Sequence, residues 1–134
     1  MVKVVCKYDS IAEIPHLNSK KNYEQIVSPL DYSFSLEKGS LYDLLGITQL
    51  SNILHFYFVA NGSDELDIAP AVLFECDWSK IPENWYLRMN SLHEENFEIL
   101  PERLSKIDGW FEKYIDEDPE VLEIVKTEID NIVE

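Results

Sequence analysis

The spacing of apolar side chains changes near residue 101. Before it they recur mostly every second residue, the period of a half-buried strand; after it they recur every third or fourth, the period of a helix with one apolar face. Val2, Val4, Cys6 and Tyr8 alternate with Lys3 and Lys7, and Tyr32–Leu36 alternates again. Leu41–Ile47 reads as a further strand, with Gly46 a candidate bulge or close backbone approach. A polar break at 48–52 separates it from Ile53–Ala60, which is dense in aromatic and β-branched residues. Asn61-Gly-Ser-Asp64 signals a turn, and Ile68–Asp77 reads as the next strand, with Pro70 near its start. Residues 85–89 and 97–100 add short edge strands. The polar segment 9–31, with Pro15 and Pro29, reads as a long irregular connection holding a short helical turn or a binding segment.

Beyond residue 101, Leu104, Ile107, Phe111, Tyr114 and Ile115 fall at helical spacing, flanked by Trp110. Pro101 can open this helix, or Ser105 can cap a shorter one with Asp108 as its capping-box partner; Gly109 weakens its middle. Asp118-Pro119-Glu120 predicts a second helix start, with Asp at the cap and Pro at the first helical position. Its apolar stripe is Val121, Leu122, Val125, Ile129 and Ile132. Strands followed by helices predict an α+β fold: a small curled antiparallel sheet, closed as an SH3-like barrel, followed by two C-terminal helices. At 134 residues the chain reads as one domain, mainly β over 1–100 and mainly α over 101–134.

Charge is the outlying property. The chain carries a net −15, of which residues 1–67 contribute −4 (5 basic, 9 acidic) and residues 68–134 contribute −11 (6 basic, 17 acidic). An acidic surface repels nucleic acid and anionic membrane, and it suits either a basic protein partner or solubility alone. No apolar run reaches the ~20 residues of a membrane span, and the start of the chain lacks a secretory pattern. With two cysteines, too few for a disulfide framework, the expectation is a cytoplasmic protein with free thiols.

Catalytic constellations are missing from the sequence. Cys76 stands between Glu75 and Asp77, and carboxylates oppose the thiolate that a nucleophilic cysteine requires. Alternation puts Val72, Phe74, Cys76 and Trp78 on an inner face, with Leu73, Glu75 and Asp77 opposite. His16, His55 and His93 have no metal-ligand spacing, and Asp64-Glu-Leu-Asp67 lacks the rest of a calcium loop. No cofactor and no metal are expected. Two acidic groups remain as candidate partner-binding residues: Glu94, Glu95 and Glu98 ahead of the first helix, and Asp116, Glu117 and Asp118 at the helix junction. Trp85 and Tyr86 are the aromatic candidates; with Trp78 they surround Pro82, and the three read either as a barrel-closing aromatic cluster or with one in the core and another exposed as a binding anchor. The same acids also read as solvated helix surface, with Asp118 favouring a helix N-terminus.

The motifs Val2-Lys-Val-x-Cys6, Phe34-x-Leu-x-x-Gly-x-x-Tyr42 with Gly46-Ile47, Pro70-Ala-x-Leu-Phe-Glu75 and Ile81-Pro-x-x-Trp85 cover roughly residues 1–85. In these the chain resembles a group of small, largely uncharacterised bacterial proteins, some of which look like immunity proteins of polymorphic toxin systems. The resemblance implies a non-enzymatic protein that neutralises a cognate toxin by forming a complex with it, and it carries no catalytic residue. The alternative is a small regulatory or scaffolding domain whose acidity maintains solubility. An enzyme acting on a small cationic substrate is a third class. The partner's identity and the oligomeric state are open at this level.

Overall fold

A computed structural model describes residues 2–15, 17, 20–24, 26–89 and 96–133. The fold is α+β, with seven strands in one sheet: β1 (Lys3–Cys6), β2 (Leu41–Leu50), β3 (Ile53–Ala60), β4 (Leu66–Pro70), β5 (Phe74–Cys76), β6 (Trp85–Met89) and β7 (Phe97–Pro101). Four helices accompany it among the described residues: α1 (Lys20–Tyr23), α2 (Glu102–Ser105), α3 (Trp110–Ile115) and α4 (Pro119–Val133). Every described strand pairing is antiparallel. The path runs β4-β3-β2-β1-β5, and β2 takes a third partner, through Ile47 and Thr48, in β7, which carries β6. The sheet therefore forks at β2. Described pairing leaves β4, β5 and β6 each with one neighbour, so the sheet stays open where a closed SH3-like barrel was expected.

β2 and β3 form the stem. Their register runs from Tyr42↔Ala60 to Leu50↔Ile53, so the expected polar break at 48–52 is instead strand up to Leu50. Ser51 (φ 51°) and Asn52 (φ 63°) both take the left-handed conformation, as a two-residue type I′ hairpin turn requires. The register slips once, between Leu44 and Gly46. That bulge lets Leu44 and Ile47 enter one core while Leu45 enters the other. A Cβ on Gly46 would lie 2.7 Å from Leu100 Cδ2 and 3.2 Å from Tyr57 Cδ2, which is why the bulge carries no side chain.

Both sheet faces are covered. One face packs Val4, Cys6, Tyr42, Phe56, Phe58 and Phe74 against Ile11, Ile14, Val27 and Leu36 of the irregular segments. The other packs Leu45, Tyr57, Val59 and Leu100 against Leu104, Trp110, Val121, Val125 and Ile129 of the helices. The long connection is thus a wall of the first core, with a 3-10 turn at Ile11–Glu13 and the short helix α1 inside it.

Three expectations from the sequence give way here. Tyr32–Leu36 is not a strand, because Ser35 turns left-handed (φ 59°), although Leu36 is still buried. The strand expected over Ile68–Asp77 breaks at Ala71–Leu73 into a 3-10 turn, since β4 pairs with β3 and β5 pairs with β1. Its alternation breaks too: Leu73 is fully buried while Trp78 is 54% exposed. The first C-terminal helix splits into α2 and α3 at Gly109, which sits at φ 64°. Ser105 does not cap it; its hydroxyl donates to Glu102 O. The second helix starts as read, with Asp118 Oδ1 accepting from the Glu120 and Val121 amides at 3.0 and 3.2 Å, while Leu122 stands off the buried stripe.

Gly46→Ala should cost about 1–3 kcal/mol, because Leu100 is fully buried and cannot withdraw freely. Urea denaturation checks this, and an unchanged midpoint would show that the bulge tolerates a side chain.

Candidate functional site

The aromatic candidates lie on β6. Trp85 faces Pro101 of β7 and packs, half-buried, on the first core; Tyr86 faces Leu100 and is 49% exposed. Trp78, the third aromatic around Pro82, is 54% exposed. The strand exposes more apolar surface than that pair: Leu87 is 67% and Met89 56% exposed. Arg88 is the strand's one charge, and it is held in place. Its guanidinium donates to Ser105 O (2.8 Å) and Ile107 O (3.0 Å) and pairs with Asp108. β6 is thereby fastened to the α2–α3 turn while its outer edge, among the described residues, pairs with no strand. The run Trp-Tyr-Leu-Arg-Met carries this signal in the sequence, since a solvated edge strand would alternate with polar residues.

The acidic candidates separate into three situations. Glu94 and Glu95 lie outside the described residues. Asp116 and Glu117 are exposed at the α3–α4 junction beside Ile115, itself 61% exposed, while the Asp118 side chain is committed to capping α4. The Leu66 amide donates to Tyr114 Oη at 3.1 Å, which ties this junction to the start of β4 and brings it beside the turn bearing Asp64 and Glu65. β4 and β6 end different branches of the sheet, so the structure does not gather the acids and the β6 aromatics into one site.

Glu98 is the correction. It was read as a surface acid, but it is buried at 6% exposure on β7 and accepts a 3.1 Å hydrogen bond from Tyr57 Oη. Alternation explains this: Glu98 shares the helix-covered face with Leu100, and Thr48 is its cross-strand partner on β2. Burial raises its pKa above the ordinary carboxyl range, opposed by the Tyr57 hydrogen bond and the Arg88 charge. Arg88 is its cross-strand partner on β6, yet the guanidinium goes to the α2–α3 turn. Glu98 also lines a cavity of about 100 Å³ with Leu50, Tyr57, Gly109, Trp110, Phe111 and Glu112. A lone acid in a strand gives no sequence signal for such a setting.

Nucleophile chemistry finds no support in the thiols. Burial, and then the Asp77 charge, push the Cys76 thiol up, and burial, and then Asp9, do the same to Cys6. Glu75 points to solvent and pairs with Lys7 at 3.2 Å. His55 is buried; its Nδ1 lies 2.9 Å from Ile53 O, and burial lowers its pKa. His16 and His93 lie outside the described residues. Among the described residues no group of three or more His, Cys, Asp or Glu side chains is arranged to hold a metal ion, and no described helix is long and apolar enough to cross a membrane.

Glu98 makes a pH prediction whose sign is opposite to that of an ordinary salt-bridged acid. Above the unfolded carboxyl pKa, the unfolded chain releases its proton before the folded chain does, so this group's contribution to stability falls as pH rises through the raised value. Glu98→Gln removes that loss. The variant's stability relative to the parent should therefore rise as pH increases above the ordinary glutamate value of about 4.3. Denaturation series across that range test it, and a flat or falling difference would mean that burial does not control this carboxyl.

No protein-family model, curated protein or solved structure matches the chain.

Proposed function

We propose that this protein is a non-enzymatic, acidic binding protein of the cytoplasm that occludes the basic face of a protein partner, as an immunity protein does to its cognate toxin. The observation that carries the reading is the outer edge of β6. Tyr86, Leu87 and Met89 are all about half exposed or more, on a strand whose outer side has no strand partner among the described residues. Solvated edges are ordinarily guarded by charge, because an apolar one invites pairing with another chain. Here the one charge, Arg88, is turned inward to the α2–α3 turn. Such an edge suits a partner that adds a strand or lays an apolar surface over it.

The net −15 supplies the steering. An acidic protein draws a basic partner at rates that fall with ionic strength, while the desolvated aromatic and aliphatic contacts hold the complex once formed. Exposed Asp116 and Glu117, with Asp64 and Glu65 nearby, act at the encounter; Tyr86, Leu87 and Met89 act in the bound state. The separation of the acids from β6 favours one alternative, a scaffolding domain that uses the β6 edge and keeps its charge for solubility. Ionic strength distinguishes the two, because screening at about a 10 Å Debye length in 0.1 M salt slows steered capture and leaves apolar docking unchanged.

The test is co-expression with the toxin encoded beside this protein, followed by association and dissociation rates. Leu87→Asp should speed dissociation about tenfold or more, the equivalent of about 1.4 kcal/mol, with little effect on association. Asp116→Asn with Glu117→Gln should slow association and flatten its salt dependence. Neither complex nor protection of the producing cell would end the immunity reading. A complex indifferent to both sets of substitutions would end the β6 assignment.

A further inference from the structure

The outer edge of β4 offers acceptors and withholds donors. Leu66 and Ile68 are turned away from β3, since their amides bond elsewhere: the Leu66 N–H to Tyr114 Oη at 3.1 Å and the Ile68 N–H to Asp67 Oδ1 at 2.8 Å. The next outward position is Pro70, which has no N–H. In an antiparallel strand the carbonyl of such a residue faces the same way as its amide, so the Ile68 carbonyl also points outward. It finds no donor among the described residues.

A groove runs along this edge, between β4 and the irregular segment 26–35. One compartment of about 490 Å³ is walled by Ile26, Val27, Tyr32, Phe34, Asp67 and Ile68. A second, of about 360 Å³, continues from Ile26, Phe34 and Ile68 past Pro70 to the β2–β3 turn. The facing segment also keeps its donors to itself. The amides of Ile26 and Val27 go to Tyr23 O, that of Tyr32 to Pro29 O, that of Phe34 to Asp9 O and that of Ser35 to Ser33 Oγ. Asp67 lies across from Phe58, whose ring packs in the first core, so its carboxylate is on the sheet face that this segment covers. The groove therefore presents the Ile68 carbonyl, the exposed Asp67 carboxylate and the hydroxyls of Ser28 and Ser35.

That inventory selects the occupant. A carboxylate is repelled by Asp67, and an amide turns its own carbonyl towards acceptors, leaving them unsatisfied. A guanidinium carries five N–H donors and no acceptor. An ammonium is also donor-only, but it is a compact, strongly hydrated charge, whereas a planar guanidinium reaches separated acceptors and stacks on aromatic faces. Such faces are present: Tyr32 is 52% exposed and stands edge-on to Phe34 at 5.1 Å. Both compartments fall within the ~300–1,000 Å³ of ligand pockets, which admits a side chain together with the segment that carries it.

We propose that the groove between β4 and residues 26–35 receives an arginine side chain of the protein partner, with its guanidinium on Asp67 and the Ile68 carbonyl and its stem against Ile26, Phe34 and Ile68. The proposal rests on the reading of a basic partner given above. It places a specific contact on the branch of the sheet that bears the acids, because the turn with Asp64 and Glu65 leads into β4 and Tyr114 ties the Asp116–Glu117 junction to Leu66.

The experiment is an NMR titration of the 15N-labelled protein with N-acetylarginine N-methylamide, following the Ile68 and Ala69 amides. The matching capped citrulline, which puts a carbonyl where arginine has a charged nitrogen, and the capped lysine are the comparisons. Arginine should shift both amides saturably, with an apparent affinity about tenfold or more above citrulline. It should exceed lysine by about threefold or more. Asp67→Asn keeps the Oδ1 acceptor for the Ile68 amide and should lower arginine to the citrulline level. Equal binding of lysine would show general attraction of cations to an acidic surface and overturn the proposal. Equal binding of citrulline, an unchanged affinity in Asp67→Asn, or no saturable shift would overturn it too. The toxin complex separates this proposal from the immunity reading. Arginine binding as expected without any complex would end the immunity reading and leave the groove specific for guanidinium. A complex whose rates are unchanged by Asp67→Asn would end the assignment of the groove to the partner's arginine.

Discussion

A strand buried on both faces needs apolar cover twice, and β2 and β3 find it in two unlike places. Phe56 and Phe58 meet the irregular N-terminal segments, whereas Tyr57 and Val59 meet α2–α4. Cover from either side alone would leave large aromatic rings in water, at a cost of roughly 1.5–3 kcal/mol for each exposed Phe side chain. The β2 bulge makes two-sided burial workable. It changes the phase of the strand after Leu44, and the absence of a side chain at Gly46 lets Leu100 of β7 approach.

The forked sheet follows from that arrangement. Once β2 is engaged along one side by β3, its other side is divided, with β1 pairing at Leu41–Asp43 and β7 pairing at Ile47–Thr48. Each branch ends in a strand with a single described neighbour. On the β7 branch that strand is β6, whose one cation is spent on backbone carbonyls and Asp108 of the α2–α3 turn. The tether has two consequences. It leaves an apolar edge without a charged guard, and it draws Arg88 away from the buried carboxylate directly across from it. The exposed edge and the cavity acid thus stem from the same choice of partners by one arginine.

Much of this architecture is legible in the residues. Alternation located β1, aromatic and β-branched density located β3, the short strands read at 85–89 and 97–100 are β6 and β7, the switch of period located the C-terminal helices, and Asp118-Pro119 marked the start of α4. Gly46 was recognisable as a bulge or a close approach, and it is both. Periodicity misled where a short alternating run had no strand to pair with, as at Tyr32–Leu36, or where the chain changed partners partway, as at Ala71–Leu73. Backbone hydrogen bonds to a second strand, not alternation alone, decide whether such a run is extended.

The sequence by itself determined composition, charge, the order of strands before helices and the absence of a recognisable catalytic constellation. The tertiary structure decided which polar residues are inside. Glu98 is one of many acids in the sequence, and nothing local separates it from Glu102 or Glu112; only the helices lying over its sheet face remove it from water. Tyr86, Leu87 and Met89 are at the surface because their strand ends a branch of the sheet. Burial depends on what the rest of the chain brings to each face, and that is set by contacts between residues far apart in the sequence.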